Sequence, residues 1–359
     1  MLTKVVHTLV NRQYWIVSLL FIVTAVSKIL FNGIVYTFDY GVFQPDGAYY
    51  SLYALRLTGE HLFSGASIVE NWYSIHSVKN SAISFDLLTD TSGDIWKAII
   101  FRPLYPILSA PFVILFGMYG MLIIPFVSFY LLLIYTQRIF KRENLPLLGL
   151  AFNLMLCSSP TIVRWMLLNY PDGLLVLVFA IYLYHFLIEP KKSFNFVSVV
   201  LILLSTQIRF CWILWIMVSV HHIVQNEKTK AFKVFIFSSI FSLPAVIYAP
   251  KTALLPNETG SNFLEKIIRV PFSAFKTLFV ELTQLLMLDK ILLVLFLLGL
   301  MMALSNLRIR DSQLFVMIFA GCLIISGLNG VYGVNFRYYL PILPFLAILI
   351  ARNYRSSLK

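Results

Sequence analysis

Charged residues are scarce in this chain of 359 residues: they make up 12% of it, against roughly a quarter in soluble globular proteins. Hydrophobic residues make up 59%, and the mean hydropathy is +0.83. The apolar residues occur in runs of about 15 or more that end in charged clusters, which is the length signature of membrane-spanning helices. The composition therefore excludes a soluble globular domain and predicts an all-α polytopic membrane protein.

The sequence also lacks the usual marks of several ligand classes. Its three cysteines, Cys157, Cys211 and Cys322, lie inside apolar runs without metal-type spacing, so buried thiols are expected. No D-x-D motif, glycine-rich phosphate loop or Rossmann fingerprint occurs, which argues against a nucleotide-sugar donor. The net charge of +12 lies in short clusters and forms no continuous basic stripe, so no nucleic-acid partner is expected.

The basic clusters assign the two sides of the membrane, because positive residues near helix ends stay in the cytoplasm. The segment 34–103 carries seven acids and four basic residues and is placed outside. Placing every basic cluster inside gives about ten transmembrane helices with both termini cytoplasmic. The predicted crossings are 14–33, 119–137, 145–163, 173–188, 194–207, 210–224, 231–249, 291–305, 313–328 and 338–351.

Three regions have special roles in this topology. The proline-broken stretch 101–117 is predicted to be a juxtamembrane helix at the outer face, and the long apolar run 194–224 is predicted to be two short helices joined near Arg209. The domains are then a core, 1–250, with a first outer loop at 34–118, and a C-terminal three-helix segment at 291–359. Between them, 251–290 is predicted to be an outer loop with an amphipathic interfacial helix.

Five ionisable residues lie at helix ends or within apolar runs, all toward the predicted outer side: Lys28, Arg164, Asp172, Arg209 and Arg337. Each such charge costs around 2.5–3.5 kcal/mol to insert, so together they suggest one water-filled cavity. The excess of cations suits a phosphate, which guanidinium groups bind in a bidentate manner. Snorkelling also explains Lys28, an interface anchor also explains Arg164 or Arg337, and helix capping also explains Asp172.

Several stretches resemble the GT-C superfamily of membrane glycosyltransferases, which use polyprenyl-phosphate sugars. F-Q-P-D-G-A-Y-Y-S-L-Y-A-L-R-L-T-G, from Phe43, resembles their D-x3-Y-x3-A-x4-G stretch after the first helix. F-R-P-L-Y-P, from Phe101, is similar to their second juxtamembrane helix, and N-Y-P-D-G resembles their outer acidic turn. S-T-Q-I-R-F and N-F-R-Y-Y-L-P are similar to later outer turns that carry a basic residue. The resemblance implies a GT-C-like core such as that of protein O-mannosyltransferases or the lipid A aminoarabinose transferase.

The resemblance also implies roles for individual residues. Asp46 would be the general base, and Asp172 would orient the acceptor or a basic partner. The donor phosphate would be bound by Arg337, Arg209 and Arg164. The remaining substrate-pocket candidates are Asp39, Tyr50, Arg102, Tyr105 and Tyr338. Some relatives hold a divalent metal with outer-loop acids and histidines, but Glu60, His61, Glu70 and His76 show no convincing ligand spacing, so the metal is left unassigned.

The function implied is inverting transfer of a sugar from a polyprenyl-phosphate donor to a lipid, glycan or protein acceptor. The expected location is the extracytoplasmic face of a bacterial inner membrane. Two alternatives use similar charges: a flippase or transporter for lipid-linked sugars, and an O-antigen polymerase or ligase. The acid-bearing loop directly after the first helix favours the transferase over both.

Asp46→Asn is expected to abolish sugar transfer without changing expression or fold, because an amide cannot accept the proton of an attacking hydroxyl. Asp39→Asn is expected to be milder. Transfer assays on the two purified variants check this, and full activity of Asp46→Asn would exclude it as the base.

Overall fold

A computed structural model describes residues 8–30, 45–76, 84–91, 96, 99–188, 194–209, 211–248, 263–329 and 336–357. These residues form helices joined by turns, with no β-strand among them, so the predicted all-α class is confirmed. Asp39 lies outside the described residues, as does the side chain of Asp46. Cys157, Cys211 and Cys322 are buried free thiols, as predicted.

The described residues contain sixteen α-helices. The first half of the described chain contains α1 Gln13–Leu30, α2 Pro45–Leu57, α3 Leu62–His76, α4 Phe85–Thr89, α5 Leu104–Phe116, α6 Ile123–Arg142, α7 Pro146–Ser158 and α8 Pro160–Leu167. The second half contains α9 Asp172–Tyr182, α10 Phe196–Ile208, α11 Trp212–Val224, α12 Lys228–Tyr248, α13 Phe263–Leu288, α14 Lys290–Ser305, α15 Arg310–Asn329 and α16 Leu343–Ser357. A π-helical turn, Leu183–Leu187, extends α9, and 3-10 turns at Gly117–Leu122 and Arg337–Ile342 precede α6 and α16.

Three stretches of the described chain are long and apolar enough to cross a membrane: Gln13–Leu30, Leu104–Arg142 and Arg310–Leu328. The pair α7 and α8, bent by 76°, would be a fourth if it forms one span. Each of the ten predicted crossings overlaps helical residues of the described chain, but 145–163 is divided between α7 and α8, 338–351 begins in a 3-10 turn, and several of the helices are short. At 1.5 Å per residue, the 13 residues of α10 reach about 20 Å, against a hydrocarbon core of about 30 Å. By length and composition the described chain thus has three or four spans, and ten crossings stay a prediction.

The side chains of α1 show why this chain suits a lipid environment. Trp15, 79% exposed, and Leu19, 61% exposed, lie on its outward face, whereas Gln13, Thr24 and Lys28 are buried against the protein. A soluble protein rarely exposes such a continuous apolar face. The reversed arrangement, with polar groups inside and large apolar groups outside, is typical of a helix surrounded by acyl chains.

The stretch before α6 is not one straight helix, although it qualifies as a single apolar run. Gly117 ends α5 with a positive φ of 59°, which favours glycine. The chain then folds back so closely that a Cβ on Gly120 would overlap the backbone of Phe112. The 3-10 turn therefore packs on α5, and the chain is divided between α5 and α6 at Gly117; the juxtamembrane position predicted for 101–117 stays a prediction.

The run 194–224 is divided at the predicted place. α10 ends at Ile208, Arg209 is extended with φ −159° and ψ 156°, and α11 begins at Trp212. Trp215 in α11 donates its indole N–H to the hydroxyl of Ser205 in α10 at 2.7 Å, which ties the two helices together across the break. The break therefore places Arg209 at the end of the helix pair, where its N–H still donates to the carbonyl of Ser205 at 3.2 Å.

Charged residues gather at two opposite ends of the helix bundle. At one end Arg352 binds Glu143 at 3.1 Å and Asp311 at 2.8 Å, Arg355 binds Glu143 at 2.7 Å, and Arg352 also donates to the carbonyl of Ile188. Asp172, at the start of the same helix that ends near Ile188, lies about 24 Å away along the helix axis. Helices α9 and α16 thus join a charged network at one end to Asp172 and Arg337 at the other.

The ion pairs of Glu143 predict a dependence of stability on pH. Burial alone would raise the pKa of Glu143, but hydrogen bonds from Arg355 and Arg352 hold the pKa below its usual value of 4.5. Because this pKa is lowered on folding, the stabilisation is complete above the unfolded pKa and is lost as pH falls through the folded pKa. Glu143→Gln is therefore expected to flatten the loss of melting temperature below about pH 5.

Melting temperatures in detergent across this pH range measure the effect. Glu60→Gln is a matched control, since the Glu60 carboxylate accepts only an exposed hydrogen bond from Ser64 among the described contacts. Equal slopes for wild type and Glu143→Gln would contradict the expected role of the network.

Candidate functional site

Asp172 is held between two arginines that are distant in the sequence. Its Oδ2 accepts from Nη2 and Nε of Arg337 at 2.9 and 3.0 Å, and its Oδ1 accepts from Nη1 of Arg209. Asp172 begins α9, Arg209 lies in the extended break after α10, and Arg337 begins the 3-10 turn before α16. The site is therefore formed by the ends of three helical segments that lie side by side.

The burial of these groups explains why they occur together. The side chain of Asp172 is 4% exposed, and those of Arg209 and Arg337 are each 13% exposed. A buried ion is costly unless an opposite charge and hydrogen bonds compensate for lost water. Among the side chains that the structure describes, two guanidinium groups face one carboxylate here, so the cluster suits an additional anion.

Aromatic rings form the surfaces on which the guanidinium groups lie. The guanidinium carbon of Arg337 is 4.5 Å from the ring centre of Tyr170 and 4.8 Å from that of Trp165, and Arg209 is 4.8 Å from that of Tyr338. Such cation–π contacts contribute roughly 0.5–2 kcal/mol each. They also restrict the two planar groups to fixed orientations, which prepares them to bind a planar or tetrahedral anion.

A small cleft lies beside this cluster; its cavity volume is about 20 Å³, and it opens to solvent. Its polar end is formed by Asp172, Arg209, Arg337, Tyr338 and the thiol-bearing Cys211. Its remaining wall is apolar and comes from α9, α11, α15 and the turn before α16: Leu175, Val176, Leu214, Ile325, Leu340 and Pro341. The lining of the cleft thus combines a charged end with an apolar wall.

Two further cations lie behind the aromatic surface. Arg164, 4% exposed, places its guanidinium 4.9 Å from the ring centre of Trp165, the same indole that contacts Arg337. Lys28, fully buried at the end of α1, is close enough to Arg164 for their charges to interact. Neither residue lines the cleft beside Asp172. The structure therefore places Arg164 one ring away from the predicted phosphate-binding pair.

The beginning of α2 docks next to the turn that leads into Asp172. A Cβ on Gly47 would overlap the side chain of Asn169, which in turn donates to the hydroxyl of Tyr73. Tyr73 also shares a 3.1 Å hydrogen bond with Ser51, one turn along α2. Asp46 precedes Gly47 in the first turn of this helix, so its backbone is next to the Asn169 contact, although its side chain lies outside the described part.

Tyr50 and Tyr105 have a packing role in the described structure. They are buried with ring centres 5.5 Å apart, and the Tyr105 hydroxyl donates to the carbonyl of Met121 at 2.7 Å. They join α2 to α5 and the following turn and are not among the residues that line the Asp172 cleft. Their predicted contact with substrate stays a prediction.

The other motif residues in this region are also explained locally. Ala54 is fully buried on the same face of α2 as Tyr50. Gly59 has φ 102°, and the N–H groups of Gly59 and Glu60 bond back to the carbonyls of Arg56 and Leu55, which closes the helix in the usual glycine-terminated manner. The alanine and glycine of the D-x3-Y-x3-A-x4-G stretch thus define where α2 packs and ends.

Arg102 and Tyr338 are nearer to the cleft. Tyr338 lines it directly and lies under Arg209. Arg102, just before α5, is close enough for its charge to act on the thiol of Cys211, which also lines the cleft. These two substrate-pocket candidates therefore border the cluster, in contrast to Tyr50 and Tyr105.

A metal site does not emerge from the part of the chain that the structure describes. No three side chains of His, Cys, Asp or Glu in that part are grouped so as to hold a metal ion. Glu70, one of the acids considered, accepts the backbone N–H of Phe85 at 2.9 Å, and Glu60 accepts from Ser64. Both carboxylates have local structural partners.

The aromatic residues under Arg337 were not identified as site residues from the sequence. Trp165 lies near the end of α8 and Tyr170 lies just before α9, and the sequence left open whether the neighbouring Arg164 is an interface anchor or a phosphate ligand. The sequence did place both aromatic residues between two ionisable residues, Arg164 and Asp172. It did not show that Arg337, from a distant segment, lies against the two rings.

Comparison with known proteins identifies no relative. No family model, curated protein or solved structure matches this chain. Its function is therefore inferred from the geometry and charges of the Asp172 cleft, together with the motif resemblance.

Asp172→Ala is expected to lower the free energy of unfolding by about 3–5 kcal/mol, because it leaves two buried arginines without their shared carboxylate. Asp172→Asn should lower it less, since the amide oxygen still accepts a hydrogen bond. Thermal unfolding in detergent measures both, with Asp86→Ala as an exposed control. The double variant Asp172→Ala with Arg209→Ala should regain part of the lost unfolding free energy, because one unpaired buried charge is removed. An unchanged melting temperature for Asp172→Ala would contradict the ion pairs between Asp172 and the two arginines.

Proposed function

We propose that this chain is an inverting GT-C-type glycosyltransferase whose Asp172 cleft binds the phosphate and adjoining prenyl chain of a polyprenyl-phosphate sugar. One observation carries the proposal: two arginines with an excess positive charge form one end of a cleft whose other wall is apolar. A free sugar phosphate needs no apolar wall, and a neutral lipid needs no arginines. A lipid-linked phosphate uses both.

The chemistry proposed is a single displacement at the anomeric carbon. The acceptor hydroxyl gives its proton to a carboxylate, its oxygen forms a bond to the anomeric carbon, and the bond from that carbon to the phosphate oxygen breaks. The bonding electrons remain on the leaving polyprenyl phosphate, which gains one negative charge. Arg337 and Arg209 would stabilise that charge as it develops, the kind of preorganised electrostatic contribution that is usually largest in catalysis.

In this proposal Asp172 does not act as the proton acceptor. Its two oxygens already accept from the two arginines, so it serves best to hold them in place. A guanidinium carries several N–H groups, and Arg209 uses one nitrogen for Asp172 among the contacts described, which leaves donors for a phosphate. Asp172 would therefore orient the cations, the second of the roles suggested by the sequence.

Asp46 is proposed as the general base. The docking of Gly47 on Asn169 supports this role, because it brings the first turn of α2 beside the segment that leads into Asp172. A base must lie within hydrogen-bond reach of the hydroxyl it deprotonates. Asp46 lies in this turn, and it is the carboxylate that the motif resemblance selects.

The proposed topology has ten crossings, with the cleft at the extracytoplasmic face of a bacterial inner membrane. The separation of the two charged ends supports this orientation, since Arg352 and Arg355 belong to the predicted cytoplasmic clusters and lie at the opposite end from Asp172. Short helices such as α10 and α11 would then pair within the membrane, with the break at Arg209 facing the cleft.

Transfer and donor specificity test the proposal against its alternatives. The purified protein in detergent is incubated with a sugar-labelled polyprenyl monophosphate donor and a membrane extract that supplies acceptors. Release of polyprenyl phosphate with transfer of the label supports a transferase. Binding without any transfer would favour a flippase or transporter, and activity confined to pyrophosphate donors would favour an O-antigen polymerase or ligase.

Arg337→Ala is expected to weaken binding of polyprenyl monophosphate by about 10- to 100-fold, the effect of losing a charge-assisted hydrogen bond. Arg164→Ala should weaken it less, because Arg164 contacts Trp165 but does not line the cleft. A binding assay by native mass spectrometry or thermal shift compares them. Arg337→Lys tests whether the planar guanidinium group is required for binding. This variant keeps the positive charge beside Asp172, so the fold should be retained.

Arg56→Ala serves as the control, since Arg56 is an exposed basic residue on α2. Equal affinities for wild type and Arg337→Ala would exclude Arg337 as the phosphate ligand. Equal losses for Arg164→Ala and Arg337→Ala would indicate a phosphate position behind Trp165.

A further inference from the structure

The backbone just before Arg337 has an unusual conformation. Three non-glycine residues in the described chain have positive φ angles: Asn144, Asn226 and Phe336. Asparagine commonly adopts this conformation where a helix ends, and Asn144 and Asn226 follow α6 and α11. Phe336, with φ 64°, is the exception, because a bulky side chain makes the left-handed region unfavourable.

A carboxylate from another helix holds this conformation. The N–H of Phe336 donates to Oε2 of Glu281, which is fully buried on α13. The Phe336 ring is also fully buried, 4.8 Å from the ring centre of Tyr339 and 5.2 Å from that of Phe296. The backbone and the side chain of Phe336 are thus fixed independently, immediately before Arg337.

The position of Glu281 on α13 is not that of a solvated acid. Ala274, Thr277, Glu281 and Leu285 recur at helical spacing and are buried, whereas Phe272, Phe275 and Phe279 are exposed on the opposite face. α13 also docks tightly on α15, since a Cβ on Gly327 would meet the carbonyl of Val270 at 2.7 Å. A carboxylate on the buried face of such a helix is costly and is retained where it makes specific hydrogen bonds.

We propose that Glu281 is a positioning residue: by accepting the Phe336 N–H it sets the direction from which Arg337 reaches Asp172 and the donor phosphate. Because Phe336 and Arg337 are adjacent, a change in φ at Phe336 would swing the Arg337 side chain away from Asp172. α13 would thereby determine the orientation of the Arg337 side chain in the site. The effect on donor binding rests on the proposed function, whereas the geometry of Arg337 does not.

The first arm of the test measures the affinity for polyprenyl monophosphate, with inorganic phosphate as the comparison ligand. Glu281→Ala is expected to weaken binding of polyprenyl monophosphate by about tenfold, as for the loss of one well-placed contact. Glu281→Gln should remain within about threefold of wild type, because its amide oxygen still accepts the Phe336 N–H. Thr283→Ala, on the same helix, is the matched control and should bind like wild type. Glu281→Met replaces Glu281→Ala if the alanine variant cannot be purified.

The second arm does not depend on the donor. If Glu281 acts through Arg337, the losses of melting temperature caused by Glu281→Ala and Arg337→Ala should not add in the double variant, whereas Thr283→Ala and Arg337→Ala should add. Hydrogen exchange of the peptide that contains Phe336 should accelerate in Glu281→Ala and remain slow in Glu281→Gln. Additive losses, or slow exchange in Glu281→Ala, would overturn the proposal.

The two arms separate two kinds of failure. If wild type binds no polyprenyl monophosphate but the double variant is non-additive, the proposed function fails and the positioning role stands. If wild type binds and Glu281→Ala binds equally well, Glu281 does not position Arg337 for the phosphate.

Discussion

The carboxylate of Asp172 between Arg209 and Arg337 is the constraint on which the rest of the site depends. Each of these charges alone would be costly in an apolar environment, and the carboxylate is shared by both guanidinium groups. Because the three residues come from three segments, those segments must end at the same level of the bundle. The break at Arg209 and the 3-10 turn at Arg337 are the local structures that allow this.

The aromatic residues and the apolar wall determine where the positively charged groups lie in the cleft. Trp165 and Tyr170 support Arg337, and Tyr338 supports Arg209, so the guanidinium groups are restricted to one side of the cleft. The opposite wall offers only hydrocarbon. This combination of a charged end and an apolar wall is the physical basis for proposing a lipid phosphate as the ligand.

Elements outside the candidate spans hold this centre in place. α2 docks on Asn169 through Gly47 and through the hydrogen bonds of Tyr73, and α13 contributes Glu281 to the backbone before Arg337. At the far end of α9 and α16, Arg352 joins Glu143, Asp311 and the carbonyl of Ile188. The helices that carry the site are therefore fixed at both ends, which limits the freedom of the cations between them.

The sequence by itself determined the helical class, the interruption near Arg209, the burial of the cysteines and a helix within 251–290, because each depends on local hydrophobicity, length and breaking residues. It also selected Asp172, Arg209 and Arg337 as candidates, since charges in apolar runs are conspicuous. The three-dimensional packing was needed to show that Asp172 pairs with both arginines, that Arg164 contacts Trp165 outside the cleft, and that Tyr50 packs on Tyr105. It alone identified Glu281, whose partner is 55 residues away in the chain. Such contacts depend on where distant helices end relative to one another, and no periodicity within a single segment encodes that distance.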